Sequence, residues 1–139
     1  MAVRTFRLKV HTAGDAEMTD ITSAAERAVQ DSGLRAGILT LFVPGATAAL
    51  TTIEYEDGAL KDFRRLFDEL AAPDRDYAHN ARWGDGNGHS HVRAALLGPS
   101  LTIPFVDGEL LLGTWQQIIL VDFDVRPRSR TVVAQVTGE

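Results

Sequence analysis

The stretch Ser100-Leu-Thr-Ile-Pro-Phe-Val-Asp-Gly-Glu-Leu-Leu112 decides the fold class. Asp107-Gly108 is a preferred dipeptide for a two-residue type I′ turn, because both positions need φ > 0. Its apolar flanks therefore predict a hairpin of Ser100–Val106 with Glu109–Leu112. Two further apolar runs follow, Ile118–Phe123 and Thr131–Val136, joined by the Arg- and Pro-containing segment 124–130. The C-terminal part of the chain is thus strand after strand with no helix between, which excludes an alternating α/β chain.

Working back towards the N-terminus, 90–97 reads as a short helix with Val92, Ala95 and Leu96 inward and Gly98-Pro99 as its stop. Residues 73–88 contain Pro73, Gly84, Gly86 and Gly88 among charges and read as a loop, long enough to suggest a functional one. Before it, Ala59, Leu60, Phe63, Leu66, Phe67 and Leu70 keep helical spacing, so 58–71 is a helix capped by Asp57 and stopped by Pro73. Ala48–Glu54 is rich in β-branched residues and reads as a strand. Gly37–Val43 is a nearly continuous apolar run, read as a central, well-buried strand, with Pro44–Thr47 as the turn between the two. Ser23 and Glu26 have capping-box spacing ahead of a helix over 22–33 that ends at Gly33. Residues 11–19 read as loop, and Phe6, Leu8 and Val10 alternate with Arg7 and Lys9 in a first strand over 4–10. The order β-α-β-β-α-loop-α-β-β-β-β describes one α+β domain over 1–139: a curved mixed or antiparallel sheet, pseudo-barrel or sandwich-like, flanked by helices.

Composition narrows the function classes. The chain has 139 residues, is 45% hydrophobic and carries a net charge of −5. That supports one sizeable core and argues against nucleic acid as a partner, which would call for a basic face. Arg126, Arg128 and Arg130 are the densest basic group, and alternation at a strand end accounts for them. No run approaches the roughly 18 apolar residues of a membrane span. The chain contains no cysteine, so disulfides and thiolate sites are excluded; with no secretory apolar core near Met1, a cytoplasmic protein is expected.

The residues able to do chemistry cluster. Three of the four histidines, His79, His89 and His91, lie within one glycine-rich segment. Three imidazoles with an open position suit a zinc-type metal site. His79 and His91 are the safer pair: if the helix begins at Ser90, His89 lies before it and can turn inward, but if it begins at Asn87, residues two apart point roughly 200° from each other and one of His89 and His91 must turn away. Glu54, at a strand end, is either a solvated terminus or a ligand or base. Arg93, in the first turn of the 90–97 helix, is either a surface arginine or a phosphate contact, with Arg82 as a second cation. Asp85 and Asn87 read mainly as turn residues. Ser100, Thr114 and Gln116 need hydrogen-bond partners among apolar strands, across the sheet or on a ligand. No phosphate-loop, dinucleotide or nucleophile-elbow motif is present.

These residues also carry a resemblance. Asn87-Gly-His-Ser-His-Val-Arg-Ala-Ala-Leu-Leu-Gly-Pro-Ser-Leu-Thr-Ile-Pro104 and Leu112-Gly-Thr-Trp-Gln-Gln-Ile118 resemble the signature of the YjbQ-like family, also called the secondary thiamine-phosphate synthase family. Tyr77-x-His79, Thr47-Ala48, Glu54 and the terminal Gly138-Glu139 fit as well, so the resemblance spans the chain. It implies a small α+β fold assembled as a homotrimer. It also implies a histidine-lined polar pocket for a divalent metal, zinc foremost, or an anion. The implied activity is joining a pyrimidine diphosphate to a thiazole phosphate with release of pyrophosphate, in which magnesium could accompany the diphosphate; it is a side activity in some members. His79, His91, Glu54 and Gln116 carry over. Many members have a histidine at the position of Gly45, and His89 is the replacement expected here. The expected site is therefore His79, His89 and His91 for the metal, with Glu54, His91, Arg93 and Gln116 in catalysis. The alternatives are a zinc-dependent hydrolase with Glu54 as base, acting on a small phosphorylated or acyl substrate, and a non-enzymatic trimeric binder of a small phosphorylated metabolite.

Overall fold

The structure is a computed structural model that describes residues 1–139. It contains β1 (Ala2–Thr12), β2 (Glu17–Asp20), α1 (Thr22–Ser32), β3 (Ala36–Phe42), β4 (Ala48–Ile53), α2 (Asp57–Leu70), α3 (Ala78–Trp83), α4 (Gly88–Leu97), β5 (Ser100–Val106), β6 (Glu109–Leu110), β7 (Gln117–Asp122) and β8 (Arg128–Gly138). A curled five-stranded sheet has the order β1-β8-β3-β5-β6, and a three-stranded sheet has the order β2-β7-β4. Every pairing is antiparallel. The α+β class stands, and no helix is long and apolar enough to cross a membrane.

The layers follow from side-chain alternation. The inner face of the large sheet, with Leu39, Leu41, Phe105, Val132 and Ala134, packs with α1 and with Leu50, Ile118 and Leu120 of the small sheet. The opposite face of the small sheet, with Ala49, Ile119 and Val121, packs on Phe67 of α2, Ala94 of α4 and Phe123. β7 lies between both cores and is buried on both sides. The other face of the large sheet carries Val3, Ile38, Phe42 and Val106, each about half exposed.

The predicted hairpin is present, with Asp107 at φ 54° and Gly108 at φ 78°, and Phe105 and Val106 pair with Leu110 and Glu109. Several expectations change. Residues 11–19 contain the start of β2, and 73–88 contain α3, both short elements with little periodicity to show them. β3 is central in its sheet but buried only on alternate residues, and the strand buried throughout is β7. The Pro44–Thr47 turn carries the chain from one sheet to the other instead of closing a hairpin. Gly33 caps α1 at φ 70° as read. The Ser23/Glu26 box, however, does not form, because β2 ends at Asp20 and its carboxylate accepts the Thr22 N–H at 2.9 Å. Glu56, not Asp57, caps α2, accepting from the Gly58 and Ala59 N–H groups at 2.8 Å.

α4 is turned over relative to its apolar pattern. Gly88, His89, Ser90, Arg93 and Ala94 face inward, whereas Val92 and Leu96 are 47% and 70% exposed. The polar face can be inward because Ser90 and Arg93 meet acceptors there. Ser90 donates to the buried Phe123 carbonyl at 2.5 Å, and Arg93 spends Nε and Nη2 on the half-buried Ala71 carbonyl and on Asp68. Gly88 permits the approach, since a Cβ there would stand 2.6 Å from Cβ of Tyr77.

Candidate functional site

α3 and α4 are held as a pair. The Asn80 side chain accepts the Gly88 N–H at 2.8 Å, and Asp85 accepts the Asn87 N–H at 3.1 Å across the turn. This brings His79 of α3 and His91 of α4 together, with ring centroids 4.4 Å apart and planes at 47°. His91 Nδ1 lies 3.0 Å from the Ala46 carbonyl, which fixes it as the donor and leaves Nε2 free. His79 Nδ1 lies 3.3 Å from Asp85 Oδ1 without hydrogen-bond geometry, so that Nδ1 has no hydrogen-bond partner. Metal-binding histidines are commonly oriented in this way, with one nitrogen on a carboxylate or carbonyl and the other turned to the ion. His79 and His91 are the residues that would hold a divalent ion such as zinc. A third does not come from within the chain at this point.

His89 does not join them. It is 5% exposed, beside Tyr77 at 6.4 Å between rings, with its Nδ1 buried and unpartnered. Burial first, and the neighbouring Arg93 charge second, hold its pKa below the ordinary 6.5 and keep it neutral. Gly45 supplies no side chain either. It lines a cavity of about 300 Å³ with Ala46, Ala48, His91, Ala94 and Pro99.

Arg93 is committed elsewhere. Its side chain is 3% exposed, donates from Nε and Nη2 to the Ala71 carbonyl at 3.0 and 2.9 Å, and pairs with Asp68 at 3.1 Å. Its guanidinium carbon sits 5.9 Å from the rings of Phe67 and Phe123. It ties the C-terminus of α2 to α4, on the side away from the His79–His91 pair. Arg82 stacks on Trp83 at 5.3 Å.

Glu54 and Gln116 lie at the other end of β4. Gln116 donates to Thr52 Oγ1 at 3.1 Å and accepts from the Gly113 N–H at 3.0 Å, so Gly113–Gln116 forms a turn feeding β7. Glu54 lines a separate cavity of about 480 Å³ with Asp20, Tyr55, Glu56, Trp115 and Gln117. Six residue rises of about 3.3 Å separate Ala48 from Glu54, so about 20 Å of strand lies between the two groups within one chain. A larger hollow of about 490 Å³, bordered by Asp15, Glu17, Lys61 and Arg64, is distinct from both.

A polar cluster beside the histidines was not read from the sequence. Arg130 reaches from the large sheet to Asp122 of β7, with Nε–Oδ2 at 2.7 Å and Nη2–Oδ1 at 2.9 Å. It also donates to Thr47 Oγ1 at 2.6 Å. Asp124 accepts from Thr47 at 2.9 Å and pairs with Arg128 at 3.0 Å. Burial alone would push the Asp122 carboxyl up, but Arg130, Thr12 and the Asp124 N–H hold it below its ordinary 3.8. Asp124 is likewise held down, against burial, by Thr47, Asn87 and Arg128. The signal available was Asp122-Phe-Asp124 closing an apolar strand, where carboxylates require cations.

The fold recurs in known proteins. The profile of the family described as UPF0047 protein YjbQ-like matches residues 6–139. A UPF0047 protein of Methanothermobacter thermautotrophicus is 38% identical, over 100% of this chain and 95% of its own length. One from Archaeoglobus fulgidus is 37% identical, over 92% and 97%. The solved structure of a YbjQ-like protein of unknown function from Sulfolobus solfataricus superposes with a TM-score of 0.90 at 32% identity, over 99% of this chain and 100% of the other. An uncharacterized YjbQ/UPF0047 protein from Clostridium acetobutylicum gives 0.87 at 32%, over 95% and 99%. Signature, profile and superposition agree along the whole length, and the chain belongs to the UPF0047, YjbQ-like family.

Proposed function

We propose that this chain is a small-molecule transferase of the thiamine-phosphate-forming type, working at the His79–His91 pair. One observation carries the reading: two imidazoles stand with ring centroids 4.4 Å apart, His91 Nδ1 held by the Ala46 carbonyl and His79 lying beside Asp85. Such a pair would offer ring nitrogen to a divalent cation or, when protonated, to phosphate oxygen. The reaction itself rests on the family resemblance. Displacing pyrophosphate from an activated pyrimidine chiefly needs positioned cations against the leaving diphosphate, and little acid–base chemistry. Zinc would be held by His79 and His91, and magnesium would enter with the diphosphate.

The proposal extends to a cytoplasmic homotrimer acting on a small phosphorylated metabolite. The half-exposed apolar face of the large sheet and the outward face of α4 support assembly. A native mass near three times 15.1 kDa is the expected result. Glu54 and Gln116, distant from the histidines within one chain, would act there only across a subunit boundary.

The deciding experiment gives purified protein both half-substrates and follows thiamine phosphate by mass spectrometry, with His91→Ala as control. Product well above the control is expected, and product equal to the control would end the transferase reading. Binding without turnover would instead favour the metabolite-binder alternative. Metal content of chelator-free protein, compared with His79→Ala, tests the ion separately.

A further inference from the structure

We infer that α3 of one copy of this chain docks on the Trp115 end of β4 in a second copy, with Arg82 meeting the carboxylates there. The two surfaces are complementary in charge and in kind. The cavity of about 480 Å³ beyond β4 is bordered by Asp20, Glu54 and Glu56, with Tyr55 and Trp115 as its aromatic walls. None of these three carboxylates has a cation within ion-pair distance. On α3, His79, Arg82 and Trp83 stand at i, i+3 and i+4 and share a face. Arg82 pairs with no carboxylate and stacks on Trp83 at 5.3 Å.

Both tryptophans of the chain belong to these two surfaces, and Trp83 and Trp115 are 65% and 73% exposed. An indole can bury roughly 150–250 Å², and Trp, Tyr and Arg are the residue types that anchor protein interfaces. A second copy is the occupant because both halves of the match lie on this one chain. They do not meet within it. His91 anchors the paired α3 and α4 at Ala46, and the cavity lies about 20 Å along β4, at Glu54. The contact is therefore head-to-tail, the kind that closes into a ring of copies. It also carries His79 towards Glu54 and Gln116 of the second copy, the two expected site residues that a single chain keeps apart from the histidines.

That consequence for the site rests on the reading of His79 and His91 as the functional centre; the docking itself does not, and its test uses no substrate. Sedimentation of the full chain over a dilution series is read together with tryptophan emission. Reversible assembly is expected, with emission moving to longer wavelength as the copies separate and both indoles enter water. Arg82→Glu and Glu54→Lys each set like charges against one another and should raise the dissociation constant about tenfold or more. The double variant Arg82→Glu/Glu54→Lys restores an opposite pair in every contact and should return to within about threefold of the wild type. Both positions are exposed, so the variants keep the fold. A chain that stays monomeric across the series overturns the docking. So does an assembly that neither reversal weakens, a double variant as weak as the single ones, or an assembly whose indoles emit as in water. Assembly that follows the expected pattern in protein that forms no thiamine phosphate leaves the docking standing and ends the transferase reading.

Discussion

Arg93 and Arg130 show how a residue's chemistry depends on which groups reach it. Both are arginines close to the histidine pair in space or sequence. Arg93 spends Nε and Nη2 on the end of α2 and lies beside two phenylalanines, while Arg130 spends the same two nitrogens on Asp122 and Thr47. Replacing Arg93 with Met strands the half-buried Ala71 carbonyl, whereas Asp68, 55% exposed, can be solvated. A loss of about 1–3 kcal/mol is therefore expected in urea unfolding. Phosphate affinity of the folded variant should stay at the wild-type value, and a tenfold loss in folded protein would return Arg93 to the site. His79 and His91 were legible from sequence as a pair because a glycine-rich segment concentrated them. The orientation of His89 was conditional on where α4 begins. With the helix starting at Gly88, His89 and His91 fall on different faces, and His89 goes to the core.

At the level of the element, α4 teaches the same lesson in reverse. Its apolar residues pointed to Val92, Ala95 and Leu96 as the inner face. The hydrogen-bonding capacity of Ser90 and Arg93 won, because Phe123 and the end of α2 offer them acceptors. Neighbouring leucines should then behave differently. Leu97 packs against the cluster around Phe67 and Ile119, so Leu97→Ala should cost about 2 kcal/mol or more. Leu96 is 70% exposed within the chain, and Leu96→Ala should stay within about 0.5 kcal/mol. Chemical denaturation of the two variants side by side checks this, and a large loss at Leu96 would mean that another copy covers it. The hairpin at Asp107-Gly108 was legible because its chemistry is local. β2 and α3 were not, since four and six residues are too few for a period to show.

For the whole molecule, the sequence displayed strands without saying which sheet each joins. Pro44–Thr47 reads only as a turn between two strands, and long-range pairing with β7 is what places β4 in the small sheet. The Arg130–Asp122 pair, with Thr12 donating to Asp122 at 2.5 Å, is the polar tie across that divide. Asp122 is fully buried, so Asp122→Asn removes one partner and leaves the Arg130 charge poorly matched; a loss of about 3 kcal/mol is expected at neutral pH. Because the folded Asp122 carboxyl is held below 3.8, its contribution is fully present above that value and is lost as pH falls through the folded pKa. The stability gap between wild type and Asp122→Asn should therefore be constant from neutrality down to about pH 5 and narrow below about pH 4. Urea midpoints of both proteins measured across this range give the answer. A gap that persists unchanged to pH 2 would mean that the tie works through packing and not through the charge on Asp122.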